Sequence, residues 1–378
     1  MKIVCALDSF KGSLTSLQAA NAIKEGIGEN HEVIIKPLAD GGEGTVDALC
    51  ECMHAKKRTI PVTGPFSEKV NATYGMTEDN TAIIEMCSAA GITLVKKEQL
   101  DPYRATTFGV GEIIQDACNH GCRKFLIGIG GSCTNDGGVG MLQALGYHFL
   151  DQNAKEVCFG AKGLKDIISI DDTYVDSRIK ECSFFILSDV KNPLCGKQGA
   201  SYIFGPQKGA DQAMMEEMDA WMAHFASIVK DKYCEADHNY PGSGAAGGLG
   251  YALHTFLHGE MKRGISFVLE EIQLEKAIQE ADLIITGEGK IDAQTAMGKA
   301  PLGVAQLAKK YQKPVIAFCG CVGKDAEACN ENGIDAFFSI QQGACSIKEA
   351  MDTDRAYQNL KSTSKQVIRL IEKLHKYA

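Results

Sequence analysis

The sequence predicts an α/β protein: a doubly wound parallel sheet of five strands, interrupted by a second, inserted α/β domain with a mixed sheet. Three observations predict it. The chain opens with a strand-helix-strand-helix alternation, the same alternation returns near its C-terminus, and the middle has shorter apolar runs with close turns.

In order, Lys2 to Leu7 is a near-continuous apolar strand. Thr15-Ser-Leu-Gln18 then fits a capping box, with Leu17, Ala20, Ile23 and Ile27 on one helical face. Val33 to Leu38 is the second strand, and Val46, Leu49 and Met53 mark the next helix. Arg58 to Val62, Val70 to Tyr74 and Ala82 to Met86 form a short-looped antiparallel set. A helix over Gly111 to Asn119, a strand over Phe125 to Ile129 and a buried run over Phe184 to Leu187 follow, with helices around Ala213 to Ile228 and Ala245 to Phe256. The closing section reads Leu283 to Thr286 strand, Leu302 to Tyr311 helix and Pro314 to Phe318 strand. After it come an Asp325 to Asn332 helix closed by Gly333, an Ala336 to Ile340 strand, and a helical region over Ile347 to Lys376. The expected domains are therefore 1–57 plus 280–378, and 58–279 inserted between them.

The composition is that of a soluble globular protein, 45% hydrophobic and 23% charged over 378 residues. A net charge of −9 argues against nucleic acid or an anionic membrane as partner and toward a small-molecule ligand. The first strand runs into a charged loop before a signal-peptide core forms, and the longest stretch free of acids, Lys and Arg (His238 to Gly259) is broken by Pro241 and glycines. No membrane segment is expected, and the cytoplasm is the expected compartment. Fifteen scattered cysteines without a Cys-x-x-Cys pair read as buried hydrophobes in a reducing compartment.

Four glycine-rich, charge-bearing segments follow short apolar strands: Asp8-Ser-Phe-Lys-Gly-Ser13, Asp40-Gly-Gly-Glu-Gly-Thr45, Gly128-Ile-Gly-Gly-Ser-Cys-Thr-Asn-Asp-Gly-Gly138 and Gly287-Glu-Gly-Lys-Ile-Asp292. Glycine lets backbone approach a ligand, helix N-terminal amides bind anions, and carboxylates hold hard cations, so the set points to a phosphorylated, metal-bound ligand. Lys11, with the Gly12 and Ser13 amides, is a candidate anion binder against the alternative of a solvated lysine. Asp40, Glu43, Glu288 and Asp292 are candidate Mg²⁺ ligands against the alternative of turn chemistry and capping. Asp189 stands at a strand end, a station for orienting a substrate hydroxyl, and Lys208 lies in a glycine-bounded turn. The chain has no Gly-x-x-x-x-Gly-Lys-[Ser/Thr] motif, and its Gly-x-Gly-x-x-Gly, Gly242 to Gly247, has no strand before it. P-loop and dinucleotide-binding readings are thereby disfavoured.

These segments together resemble the bacterial glycerate kinases of the first type. The matching blocks run from Asp8 to Leu14 through Pro37 to Thr45, Val62 to Pro65, Thr106 to Gly109 and Gly128 to Gly138. They continue through Asn192 to Leu194, Phe204 to Ala210, Pro241 to Gly250, Ile285 to Asp292 and Gly298 to Pro301, in order along nearly the whole chain. Departures are Lys191 where relatives commonly have Asp, Cys133 and Ser243 where alanine is usual, and Lys290 where arginine is.

The resemblance implies a flavodoxin-like domain interrupted by a second α/β domain. It also implies transfer of the ATP γ-phosphate to D-glycerate with Mg²⁺, giving 2-phosphoglycerate, or alternatively 3-phosphoglycerate, by a monomer or homodimer. The implied catalytic residues are Lys11 and Asp189. Asp8, Ser9, Gly12, Ser13, Gly130, Ser132, Asn135, Asp136, Asn192, Lys208, Gly244, Gly247 and Lys290 are the expected substrate and phosphate contacts. A non-catalytic sugar-acid or nucleotide sensor on the same fold is the alternative.

Overall fold

The computed structural model describes residues 1–39, 41, 42, 44–297 and 299–375. Its strands, in chain order, are β1 (Lys2–Leu7), β2 (Glu32–Ile35), β3 (Lys56–Thr63), β4 (Lys69–Met76), β5 (Thr81–Glu85), β6 (Lys124–Gly128) and β7 (His148–Leu150). Then come β8 (Ser169–Asp171), β9 (Ser183–Leu187), β10 (Glu260–Lys262), β11 (Leu283–Ile291), β12 (Val315–Val322) and β13 (Ala336–Ser339). The chain divides into two compact units, Met1–Asp40 with Asp47–His54 and Ile265–Ala378, and Gly41–Val46 with Ala55–Gly264.

The first unit carries a five-stranded sheet in the order β13-β12-β11-β1-β2, every pair parallel. The helix Ser16–Ile27 follows β1, and both halves of the expected capping box form between Thr15 and Gln18. Its buried face is wider than the expected stripe: Ser16, Ala19, Ala20, Ala22, Ile23, Gly26 and Ile27 are buried, whereas Leu17 is half-buried. The cause is that this helix packs against both β1 and the long C-terminal helix Thr353–His375. A Cβ on Gly26 would lie 2.3 Å from the Lys361 carbonyl oxygen, so only glycine permits that approach. The C-terminal helical region is two helices, because Ser346 caps Ile347–Ala350 and Asp352, accepting from the Arg355 amide, restarts the chain. The expected Asp325 to Asn332 helix is confined to Ala328–Glu331, after Asp325 at a left-handed φ of 57°.

A six-stranded mixed sheet, β10-β9-β6-β5-β4-β3, forms the second unit with the small β7-β8 pair. β3, β4 and β5 are antiparallel neighbours, while β5, β6, β9 and β10 run parallel. Phe125 and Phe184, on adjacent strands, stack with ring centroids 4.9 Å apart inside its core. Burying such a side chain contributes about 1.5–3 kcal/mol. All fifteen cysteines are free thiols.

Candidate functional site

In the first unit the chain leaves β1 toward β2 on one side and leaves β11 toward β12 on the other, so β1 and β11 flank a topological switch point. Ligand sites of open parallel sheets form beyond the strand C-termini at such a point. Asp8 follows β1 directly: it is buried, its amide donates to Gly287 O at 2.9 Å, and its Oδ1 accepts the Ser9 amide at 2.7 Å. Phe10 and Leu14 then pair in a tight turn that presents Lys11 and Gly12, both exposed, at its tip. Gly12 has φ +81°, a value L side chains rarely adopt. Ser13 is committed within the turn, since both its amide and its hydroxyl donate to Phe10 O.

The fourth glycine-rich segment is not a loop. Gly287 to Ile291 continues β11 and pairs with β12 as far as Ile291–Val322. Glycine explains this: a Cβ on Gly287 would sit 2.2 Å from Phe318 O, and one on Gly320 would sit 2.6 Å from Gly289 O, so the two strands stay paired only without side chains there. Gly289 also passes within 3.3 Å (from an ideal Cβ) of the Lys11 amide nitrogen. Glu288 is buried and accepts from Thr295 Oγ1 at 2.6 Å and Lys299 Nζ at 3.4 Å. Burial pushes its carboxyl above the ordinary range, the donors oppose this, and the charge of Asp292 adds to it. Asp292 is held below the ordinary range by Lys290 Nζ at 2.9 Å and also accepts the Gln294 amide. Asp40 and Glu43 lie outside the described residues. Among the described residues no three His, Cys, Asp or Glu side chains gather as a metal-holding group.

The second unit gathers most of the remaining candidates around one turn after β6. Gly130 donates to Gly41 O at 3.0 Å, and Ser132 is buried beside Gly91 in a bridge. Asn135 Nδ2 donates to Ser201 Oγ at 2.9 Å. Asp136, fully buried, accepts from the Thr107 amide at 2.7 Å, the Thr107 hydroxyl at 2.9 Å and the Gly138 and Gly140 amides at 3.1 and 3.3 Å. Burial nevertheless pushes its carboxyl upward, against those donors. Gly137 donates to Gly247 O at 2.9 Å, and a Cβ on Gly247 would lie 2.1 Å from Thr134 O. Lys208 is 1% exposed and its ammonium donates to Thr134 O at 2.6 Å. Gly244 donates to Asn192 O at 2.9 Å, and a Cβ there would meet Pro193 O at 2.2 Å. Asp189, exposed, follows β9, two residues beyond the end of the strand.

Thr134 and Ser201 are not among the contacts expected from the sequence, and Ser243 enters there only as a departure from the family's usual alanine. Thr134 Oγ1, Asn135 Oδ1 and Ser243 Oγ are buried atoms without a hydrogen-bond partner among the described residues. Hydroxyl residues in a glycine-rich stretch carry no periodic signal, and only burial singles them out. Thr107, which orients Asp136, lies in a segment noted for its resemblance but not for that role.

The family model described as the glycerate kinase family matches residues 3–372. The chain belongs to the glycerate kinase family. It is 45% identical over 371 residues to the glycerate 2-kinase of Escherichia coli (strain K12), covering 97% of each chain. It is 44% identical over 363 residues to the glycerate kinase of Bacillus subtilis (strain 168), covering 94% of each. A crystal structure provisionally assigned as glycerate kinase 2 from Salmonella typhimurium LT2 superposes with a TM-score of 0.88 at 41% identity, covering 100% of this chain and 99% of that one. Within the glycerate kinase family fold, the parallel sheet and the separate mixed sheet are the frame that positions the two groups of residues above. Among the described residues no helix is long and apolar enough to cross a membrane.

Proposed function

We propose that this protein is a Mg²⁺-dependent kinase of the cytoplasm that transfers the γ-phosphate of ATP to D-glycerate, with 2-phosphoglycerate as product. The observation that carries the reading is the ordered match to the glycerate kinase family over residues 3–372, with a relative named glycerate 2-kinase at 45% identity. The strand order of the first unit supports describing it as flavodoxin-like, and the two compact units are proposed as the two domains expected from the sequence.

Phosphoryl transfer needs positioning and charge neutralisation more than covalent chemistry. Lys11, at the exposed tip of its turn, supplies a cation toward the phosphates, and Gly12 keeps the backbone there free of a side chain. Asp189 accepts the proton of the glycerate hydroxyl as its oxygen bonds to the γ-phosphorus and the bond to the β,γ-bridging oxygen of ATP breaks, releasing ADP. Glu288 and Asp292 each offer carboxylate oxygens, the donor type a hard cation takes, in exchange for the Lys299 and Lys290 ammonium groups that donate to them here. With Asp40 and Glu43 they are the residues proposed to hold Mg²⁺, which when bound neutralises phosphate charge.

The test is ADP release by purified protein with Mg²⁺-ATP, with and without D-glycerate, and ³¹P spectroscopy of the product to separate the C2 from the C3 ester. Strict glycerate dependence is expected. Binding of glycerate or ATP without ADP release would instead establish the sensor reading.

A further inference from the structure

The turn after β6 is fixed from separate parts of the second unit. Residues Thr134 to Gly137 are each tied in turn: Thr134 O to Lys208, Asn135 to Ser201, Asp136 to Thr107, and Gly137 to Gly247. Two of these ties, those from Lys208 and Ser201, come from one short stretch. That stretch is itself built to hold a lysine still: the helix Ala200–Phe204 runs into the 3-10 turn Pro206–Lys208, and Gly209 stops it at φ +93°. The Lys208 and Ala210 amides both donate back to Gly205 O, at 2.9 and 3.0 Å.

A lysine whose ammonium is buried is costly unless the charge is used. Here the donated bond goes to a backbone carbonyl at 2.6 Å, a geometry that holds chain rather than ligand. The titratable groups whose charge reaches the ammonium are the Cys133 thiol and the Asp136 carboxyl. Burial pushes the thiol up to about 12, which keeps it neutral, and Asp136 is already engaged by the Thr107, Gly138 and Gly140 donors.

We propose that Lys208 is a positioning residue, whose buried ammonium clamps the Thr134–Gly137 turn in the shape that glycerate phosphorylation uses, and does not itself touch the transferred phosphate. The statement about turnover rests on the kinase reading above. The clamp itself does not.

Amide hydrogen exchange and steady-state kinetics on Lys208→Met and Lys208→Arg test it. Methionine fills the same volume without a buried charge, so the fold is expected to survive. In Lys208→Met, exchange at residues 134–138 should rise about tenfold or more while β6 and β9 stay protected. Turnover should fall by about tenfold or more in kcat with the KM for ATP within about threefold, and Lys208→Arg should recover part of it. Unchanged exchange at 134–138 overturns the clamp. A raised KM for ATP with unchanged exchange assigns Lys208 to direct phosphate contact.

Wild-type protein offers a measurement that needs no variant. Burial lowers Lys208 to about 8, below the ordinary value it regains when the turn opens to water. The open state therefore binds more protons, and the closed turn gains stability as pH rises through that value, the neutral amine still donating to Thr134 O. Exchange at 134–138, corrected for base catalysis, should slow as pH rises from about 7 to 10, and a corrected rate that stays flat or rises refutes the proposal whether or not Lys208→Met folds. Wild-type protein that shows this slowing but no glycerate-dependent ADP release would refute the kinase reading and leave the clamp standing.

Discussion

Gly247→Ala isolates the contact on which the second unit's polar cluster depends. Gly247 has φ +67° and ψ 33°, and its absent Cβ would lie 2.1 Å from Thr134 O and 2.6 Å from Asn135 Cα. Both are main-chain atoms, so no rotamer change relieves the clash. The left-handed conformation costs an alanine about 1 kcal/mol, and forcing a methyl into packed backbone costs roughly 1–3 kcal/mol more. Displacement also weakens the 2.9 Å bond from the Gly137 amide to Gly247 O, a loss of about 1 kcal/mol. Together these give about 3–5 kcal/mol, and at roughly 2–4 °C per kcal/mol for a unit of this size the melting temperature should fall by about 6–20 °C. Gly196→Ala is the control: φ is +88° but nothing lies within 4 Å of the added carbon, so only the conformational cost of about 1 kcal/mol remains. Calorimetric melts of both variants and the wild type decide the matter. If Gly247→Ala melts within about 2 °C of Gly196→Ala, backbone contact at Thr134 is not what requires glycine, and the reasoning fails.

Two further outcomes concern the proposed chemistry. Lys11→Met should lose on the order of 10²-fold or more in kcat/KM with an unchanged melting temperature, as when an electrostatic donor is removed, and activity within about threefold of wild type would show a solvated lysine. Asp189→Asn should stay folded and bind glycerate but lose roughly 10²- to 10⁴-fold in kcat; a lowered melting temperature with turnover intact in single-turnover assays would remove Asp189 from the catalytic set.

What was legible in the sequence was local. The capping box at Thr15 and Gln18, the strand-helix alternation of the first unit and the antiparallel run of β3, β4 and β5 depend on residues close in the chain, whose periodicity and caps are written side by side. The glycine-rich segments were legible as places where backbone approaches something, because glycine is costly elsewhere.

What each glycine approaches was not legible. Gly287 to Ile291 reads as a loop in isolation and is strand only because Phe318 and Gly320, some thirty residues later, lie against it. Lys208 reads as an anion-binding lysine in a glycine-bounded turn until Thr134, in another segment, supplies the carbonyl to which its buried ammonium donates. Asp136 reads as a helix cap and accepts from Thr107 as well as from the glycine amides beside it. In sequence, then, lay the family, the order of the elements and the residues with chemistry to offer. Only the tertiary structure decided which of those residues spend their hydrogen bonds on the fold, since that depends on partners far along the chain and on burial, which sets the cost of leaving a charge unmatched.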